Sequence, residues 1–448
     1  MADSISRLQA IPELQSLNKR SSLVRIPDQI DVPLTPRVTR LIDSAGFRRL
    51  RGISQLGLVS LVYPGATHNR FEHSLGVFRN ALLFVNQLSQ FPAFSDAVTE
   101  RQVTTLIVAS LLHDIGHWPF CHPIEDMNLD VPDHESVAAS YISEGEIAEL
   151  LRTDWDVEPQ DVLNMIAKNS KTPTERLLSS ILTGPIDIDK MDYLYRDSLH
   201  CGVPYGRNFD VGRLISSLCL NEDANGIAIT SKGKTAAEMM VFARYVMFSE
   251  VYWHHAVRSA TAMFQRAFYH WFQNQPKEAR EEVLLMSESE FIAHLRSDRS
   301  DEVQSELLEG LFGPKRIMYK RLCNFSFASE PAIYSRLSQQ PYSVLVEKGR
   351  QLASELSAVI GRPVAESHVI IDAPPVGLEV QFEVDLYDQS TEEFQSLKNL
   401  SPVVNSLATR QFDDFVKQVR VFVHPSLVAQ ADFKKELAQA AQKCCEQL

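Results

Sequence analysis

The chain has 448 residues, 44% of them apolar, and its 57 acidic and 44 basic side chains leave a net charge of -13. That is ample material for a buried core, and it excludes a collagen, a coiled-coil rod and a disordered tail. The negative charge disfavours wholesale wrapping of nucleic acid but leaves room for a local basic patch that binds phosphates.

Residues 1–35 are rich in turn formers, with Pro27, Pro33 and Pro36 leading into a helical pattern over 36–50. Residues 72–88 and 101–113 carry apolar side chains at helical intervals. The stretch 236–272 is apolar on nearly every face, which predicts one central buried helix. Before it, 226–230 reads as a short hairpin or edge strand. After Ser287 the composition becomes more charged, and SDRSDE at 297–302 is the expected exposed loop. Alternating or β-branched runs at 368–372, 378–386 and 419–424 predict strands near the end of the chain. The expected fold is mainly α, with a small C-terminal α+β lobe. Its divisions are a lead-in over 1–35, a helical core over 36–275, a helical extension over 276–365 and the lobe over 366–448. The longest apolar run, 106–112, is far short of the roughly 20 residues that span a bilayer. The first ten residues show no basic-then-apolar signal pattern, so a cytoplasmic protein with no membrane partner is expected. The six cysteines have no CxxC spacing, and reduced thiols are expected.

Chemistry concentrates in HNRFEHS at 68–74, LLHDIGHWPFCH at 111–122, DHE at 133–135 and DIDKMDYLYRD at 187–197. His73, the adjacent His113 and Asp114, and Asp189 supply two imidazoles and two carboxylates from separate elements. A catalytic divalent ion needs such a set, with positions left open for water and substrate. Mixed nitrogen and oxygen ligands suit Mn, Fe, Zn, Ni or Mg more than a structural zinc, which prefers thiolates. A lone histidine on a helix is usually a packed or surface residue. A His-Asp pair at the end of LIVASLL is different, because burying it costs several kcal/mol unless a metal or partner satisfies it.

Together, FRRLRGISQLG, YPGATHNRFEHSLGV, LLHDIGHWPFCH and DIDKMDYLYRD give a sequence that resembles the HD-domain phosphohydrolases. Within them it resembles the deoxynucleoside triphosphate (dNTP) triphosphohydrolases, over about residues 36–275. The resemblance implies an HD-domain helical core with one divalent ion on His73, His113, Asp114 and Asp189, and Mg accompanying the substrate triphosphate. It implies release of intact triphosphate from a dNTP by water attack at the α-phosphorus. His117 and His134 with Glu125 would orient and protonate groups around that phosphate, and His122 would lie against the bridging oxygen. Glu125 stands where the family places an aspartate. Arg70, Lys190 and Arg244 would meet the phosphates. Tyr193 would stack on the sugar, Asp197 would accept from the 3'-hydroxyl, Gln55 and Leu56 would close the other sugar face, and Tyr252 with Leu56 would crowd the 2' position. Asp43, Arg48 and Arg51 fall where activated members bind a nucleotide effector between subunits, so a symmetric homo-oligomer is expected. Arg37, Arg40, Arg48, Arg49 and Arg51 concentrate positive charge there, although VRIPDQIDVPL at 24–34 is shorter than the family's counterpart. Other readings are an HD enzyme acting on another nucleotide or on single-stranded nucleic-acid ends, or a dNTP-sensing assembly protein without turnover. A cyclic-dinucleotide enzyme lacks support, because GVPYG at 202–206 is not the GYP signature.

Overall fold

The computed structural model describes residues 7–17, 22–374, 383–407, 415–429 and 431–447. The turn-rich lead-in contains an antiparallel hairpin of β1 (Leu23–Ile26) and β2 (Ile30–Pro33). Helix α1 (Pro36–Asp43) starts at Thr35, whose hydroxyl accepts from the Val38 N–H, with proline at the first position. The helical pattern expected through residue 50 continues only as a short turn, Ala45–Arg48, and a 3-10 turn, Arg49–Gly52.

Five helices then carry the chemistry-bearing strings: α2 (Arg70–Leu88), α3 (Glu100–Leu112), α4 (Cys121–Glu125), α5 (His134–Ser143) and α6 (Ile188–Cys201). Helix α2 packs against both α3 and α6, with Val77, Phe78, Ala81, Leu82, Phe84 and Val85 fully buried. Each of the larger of these side chains contributes about 1.5–3 kcal/mol by leaving water. A Thr99–Gln102 capping box starts α3, whose apolar run drives its C-terminal end, and with it His113 and Asp114, into the interior.

Two glycines set how closely these helices meet. A Cβ at Gly76 would collide with the Asp192 carboxylate and the Arg196 guanidinium on α6. Gly76→Ala therefore separates α2 from α6, and urea unfolding should show a loss of about 3 kcal/mol, the upper end for overpacking. A loss near zero would mean that the crossing is looser than described. A Cβ at Gly116 would run into the His134 carbonyl and the Ala138 backbone, so glycine lets the turn after α3 lie against the start of α5.

The helix expected over 236–272 is two helices. Helix α7 (Lys234–Met247) continues as a π turn, Phe248–Tyr252, and α8 (His255–Asn274) follows after Trp253 and His254. The break is local: His254 leaves the helical region at ψ 134° and its ring accepts from the Ala256 N–H, capping α8. Apolar periodicity cannot show such a break, because both halves are buried. Helix α8 packs against α9 (Glu302–Phe312), and residues 298–301 form the expected connection.

Among the described residues three sheets form. The stretch 226–230 is one arm of a hairpin, β3 (Leu218–Leu220) with β4 (Ile227–Thr230), and not an edge strand, because β4 also pairs in parallel with β7 (Asp385–Asp388), which continues into β8 (Glu393–Ser396). Part of the chain's last third thus completes a sheet begun in the helical core. The third sheet has the order β5-β9-β6, all antiparallel, from Lys320–Phe325, Val419–Val423 and Val369–Asp372. It confirms the runs expected at 368–372 and 419–424 and adds β5. Of the run expected at 378–386, residues 378–382 lie outside the described residues and the strand begins at Asp385. Among the described residues no helix is long and apolar enough to cross a membrane. All six cysteine thiols are unpaired.

Candidate active site

The first turn of α2, the end of α3 and the first turn of α6 converge. His73 Nε2 lies 3.1 Å from Asp189 Oδ1, 3.3 Å from His113 Nε2 and 3.8 Å from Asp114 Oδ2. His113 Nε2 lies 3.5 Å from Asp114 Oδ1 and 3.8 Å from Asp189 Oδ1. These spacings suit donors that share one divalent ion at about 2.0–2.2 Å each. The donor set therefore fits a metal. His113 Nδ1 donates to the Ser110 carbonyl at 3.0 Å, and His73 Nδ1 donates to Asp192 Oδ2 at 2.8 Å, which turns both Nε2 atoms inward.

Behind His73 lies a layer that the sequence reading missed. Arg196 donates twice to Asp192, at 2.8 and 2.7 Å, and once to Glu72 Oε1, at 2.7 Å, which also meets His200 Nε2 at 2.9 Å. The only sequence signal was the i, i+4 spacing of Asp192 and Arg196. Burial opposes ionisation of Asp192, but Arg196 outweighs it and holds the carboxyl at about 2. For His73 burial favours the neutral ring, yet hydrogen bonds to Asp189 and Asp192 raise it to about 10. Burial also opposes the Asp114 carboxylate, and the imidazoles and Arg70 around it keep its pKa well below the usual range.

A pH dependence follows. Below about pH 10 the metal-free His73 ring holds a proton that an incoming ion must displace; above it there is none to displace. Between about pH 6 and about pH 8, Mn binding should therefore tighten roughly tenfold per pH unit from this residue alone. Calorimetric titration at several pH values checks it, and a flat affinity would mean that His73 does not exchange its proton for the ion.

Beside the metal donors lies a cavity of about 320 Å³, lined among others by Gln55, Arg70, His117, His122, His134, Lys168, Asp189 and Tyr193. Its volume suits a small ligand. Both ring nitrogens of His117 are buried without a hydrogen-bond partner among the described residues. Its ring stands 4.3 Å from that of His134 and 5.1 Å from that of His122. Burial, reinforced by Arg70, keeps His117 neutral, with its pKa well below the usual histidine range. Glu125 meets His134 Nδ1 at 2.7 Å and His122 Nδ1 at 3.4 Å. The longer glutamate therefore reaches both rings. Burial disfavours a charged His134, but the Glu125 hydrogen bond outweighs it and raises the ring's pKa. Phe120, which precedes α4, takes left-handed backbone angles (φ 54°), a costly arrangement for a bulky residue at the turn that delivers His122 to the cavity.

Other expected site residues fall elsewhere or are already engaged. Arg70 lines the cavity but donates to Asp114 Oδ2 at 2.7 Å. Lys190 binds Asp187 Oδ2 at 2.5 Å and the Gly184 carbonyl at 3.0 Å, and does not line the cavity; Lys168 does. Asp197 uses one oxygen for His68 Nε2 at 2.8 Å and the other for the Tyr252 hydroxyl at 2.5 Å. Tyr252, Leu56 and Arg244 are not cavity-lining, and Arg244 lies over the Phe248 ring at 5.6 Å. The five arginines of 37–51 diverge instead of forming one patch. Arg37 pairs with Glu13, Arg40 with Asp154 and Arg48 with Asp43, Arg49 reaches the Ile115 and His117 carbonyls, and Arg51 covers the Phe71 ring.

Residues 70–197 match the family described as the HD domain, and residues 209–443 match the HD associated region. An uncharacterized protein of Bacillus subtilis is 38% identical over 229 residues, 50% of each chain. The deoxynucleoside triphosphate triphosphohydrolase of Gallus gallus is 28% identical over 296 residues, 58% of this chain and 48% of that protein. The matches thus span about half the length of these curated relatives. A solved structure, a hypothetical protein from Aquifex aeolicus, superimposes with a TM-score of 0.69 at 27% identity, covering 94% of this chain and 99% of the other. With one match enclosing His73, His113, Asp114 and Asp189 and the other covering more than half of the chain, the protein belongs to the HD-domain family.

Proposed function

We propose that this protein is a dNTP triphosphohydrolase that releases deoxynucleoside and intact triphosphate by attack of water at the α-phosphorus. The observation that carries the reading is the neutral His117, without a hydrogen-bond partner, on one cavity with the four candidate metal donors and with His134, which Glu125 backs from behind. The similarity to the Gallus gallus enzyme supports the choice of substrate. His73, His113, Asp114 and Asp189 would hold the divalent ion, which, when bound, supplies a more acidic water and polarises a phosphoryl oxygen. His117, neutral and facing the cavity, takes a proton as the α-phosphate is attacked. His134, made more basic by Glu125, supplies one to the departing oxygen, with His122 at the open side. Arg70 and Lys168 face the cavity as counter-charges for the triphosphate.

An effector site at Asp43, Arg48 and Arg51, in a homo-oligomer, belongs to the same reading, supported by the exposure of all three side chains. A second cavity of about 330 Å³, lined by His255, Arg316, Lys320, Arg321 and Lys434, offers further cationic groups for a nucleotide effector.

The products decide the reaction. Incubation with each dNTP and Mn, resolved by phosphate chromatography, should give deoxynucleoside and tripolyphosphate in equal amounts. Pyrophosphate with deoxynucleoside monophosphate as the primary products would overturn the proposal, and turnover confined to nucleic-acid ends would replace its substrate.

A further inference from the structure

Away from the candidate active site, three side chains from distant parts of the chain meet on the surface. Glu306 lies in the second turn of α9. His368 ends the 3-10 turn that leads into β6, and His424 follows directly on β9. His368 Nε2 is 2.9 Å from Glu306 Oε1. The two imidazoles stack at 4.4 Å with their planes 14° apart. One oxygen of Glu306 and one ring nitrogen of each histidine all lie within 4.8 Å of one another.

We propose that Glu306, His368 and His424 form a second metal site, which takes Zn²⁺ and ties α9 to the three-stranded sheet of the C-terminal lobe. Two imidazoles and one carboxylate make a three-ligand zinc set whose fourth position water fills. The lack of thiolates and the single carboxylate disfavour Cu(I) and Mg²⁺ respectively. Tetrahedral zinc ligands stand about 3.4 Å apart, so ligand atoms within 4.8 Å of one another are at most about 1.4 Å from that spacing.

The surroundings hold these ligands as outer partners of a metal site do. Ser367 Oγ donates to Glu306 Oε2 at 2.5 Å, fixing the carboxylate and leaving Oε1 toward the rings. His424 Nδ1 is 2.7 Å from Ser426 Oγ, which can accept the Nδ1 proton and leave the Nε2 lone pair for the ion. The Ser426 N–H donates to Nδ1 at 3.2 Å, and an ion at Nε2 would shift the ring proton to Nδ1 at the expense of that bond. Behind the pair, the Tyr319 ring meets His424 edge-on at 5.5 Å while its hydroxyl donates to the Ser367 carbonyl at 2.9 Å. The His424 N–H donates to the His368 carbonyl at 2.9 Å, so the two ligand-bearing segments are already joined. Burial, together with His368 alongside, lowers the pKa of His424. The rings are partly open, with 24% of the His368 side chain and 40% of that of Glu306 accessible, so an ion can enter from solvent.

The test separates this site from the central one by working in the Asp114→Ala, Asp189→Ala chain. After Zn²⁺ loading and desalting, elemental analysis should find one zinc per chain in that background and none once His424→Ala or His368→Ala is added. Glu306→Gln, a milder change at an accessible side chain, should weaken zinc binding at least tenfold in calorimetry with an unchanged circular-dichroism spectrum. Zinc should also raise the Tm of the double-aspartate chain, and Mg²⁺ should not. If that background does not fold, the same comparison is made in the parent chain, where His424→Ala should lose one equivalent. Zinc content indifferent to all three substitutions, or zinc absent from the double-aspartate chain, would overturn the proposal.

Discussion

Replacing Asp114 or Asp189 with alanine should abolish metal retention and lower turnover at least about a thousandfold, a loss of about 4 kcal/mol of transition-state stabilisation. Each carboxylate is one of the four proposed donors, so its removal would leave a three-ligand set with a smaller charge to hold the ion. The two variants should differ in stability. Asp114 also accepts from buried Arg70 at 2.7 Å, and its loss leaves a buried guanidinium without its carboxylate, a change that costs about 3–5 kcal/mol. Asp189 is 31% exposed at its side chain, and its removal should cost less. Elemental analysis, a dNTP turnover assay and urea unfolding of both proteins check these points. An inactive Asp189→Ala protein that keeps its full complement of metal would remove Asp189 from the ligand set.

His117→Asn should lower kcat by about 10²–10⁴, the range for a positioned acid or base, while metal content stays at the parent level. The separation is expected because the ring of His117 borders the four donors, 3.3 Å from Asp114 Oδ1, without being one of them. Its nitrogens have no other hydrogen-bond partner, so the substitution leaves no protein group stranded and stability should change little. Simultaneous loss of metal would make His117 a ligand, and an unchanged kcat would leave the proton to another group.

The arginines of residues 37–51 show where local text misleads. Five like charges in fifteen residues read as one patch, yet each finds a different partner, from Glu13 to Asp154, because they are spread over α1 and two short turns that face different neighbours. The helix expected over 236–272 misleads for another reason: a cap made by one side chain, His254, leaves no trace in hydrophobic periodicity. The pairing of β4 with β7 joins residues more than 150 positions apart, which no window of sequence can contain.

By itself, the sequence determined the helical class, the apolar stretch that buries the end of α3, and the grouping of His73, His113, Asp114 and Asp189, which the fold brings together, as candidate donors. Those features are written locally: buried helices show in apolar periodicity, and ionisable groups set among apolar ones stand out because burial is costly without a partner. Tertiary structure alone decided which of the surrounding polar residues face the cavity. Lys190 turns to Asp187, Asp197 closes on His68 and Tyr252, Lys168 enters the wall, and Asp192 with Arg196 locks His73. The reason is that a charged side chain in the interior takes the nearest group that satisfies it, and the nearest group is set by how helices cross, here at Gly76 and Gly116, not by position along the chain.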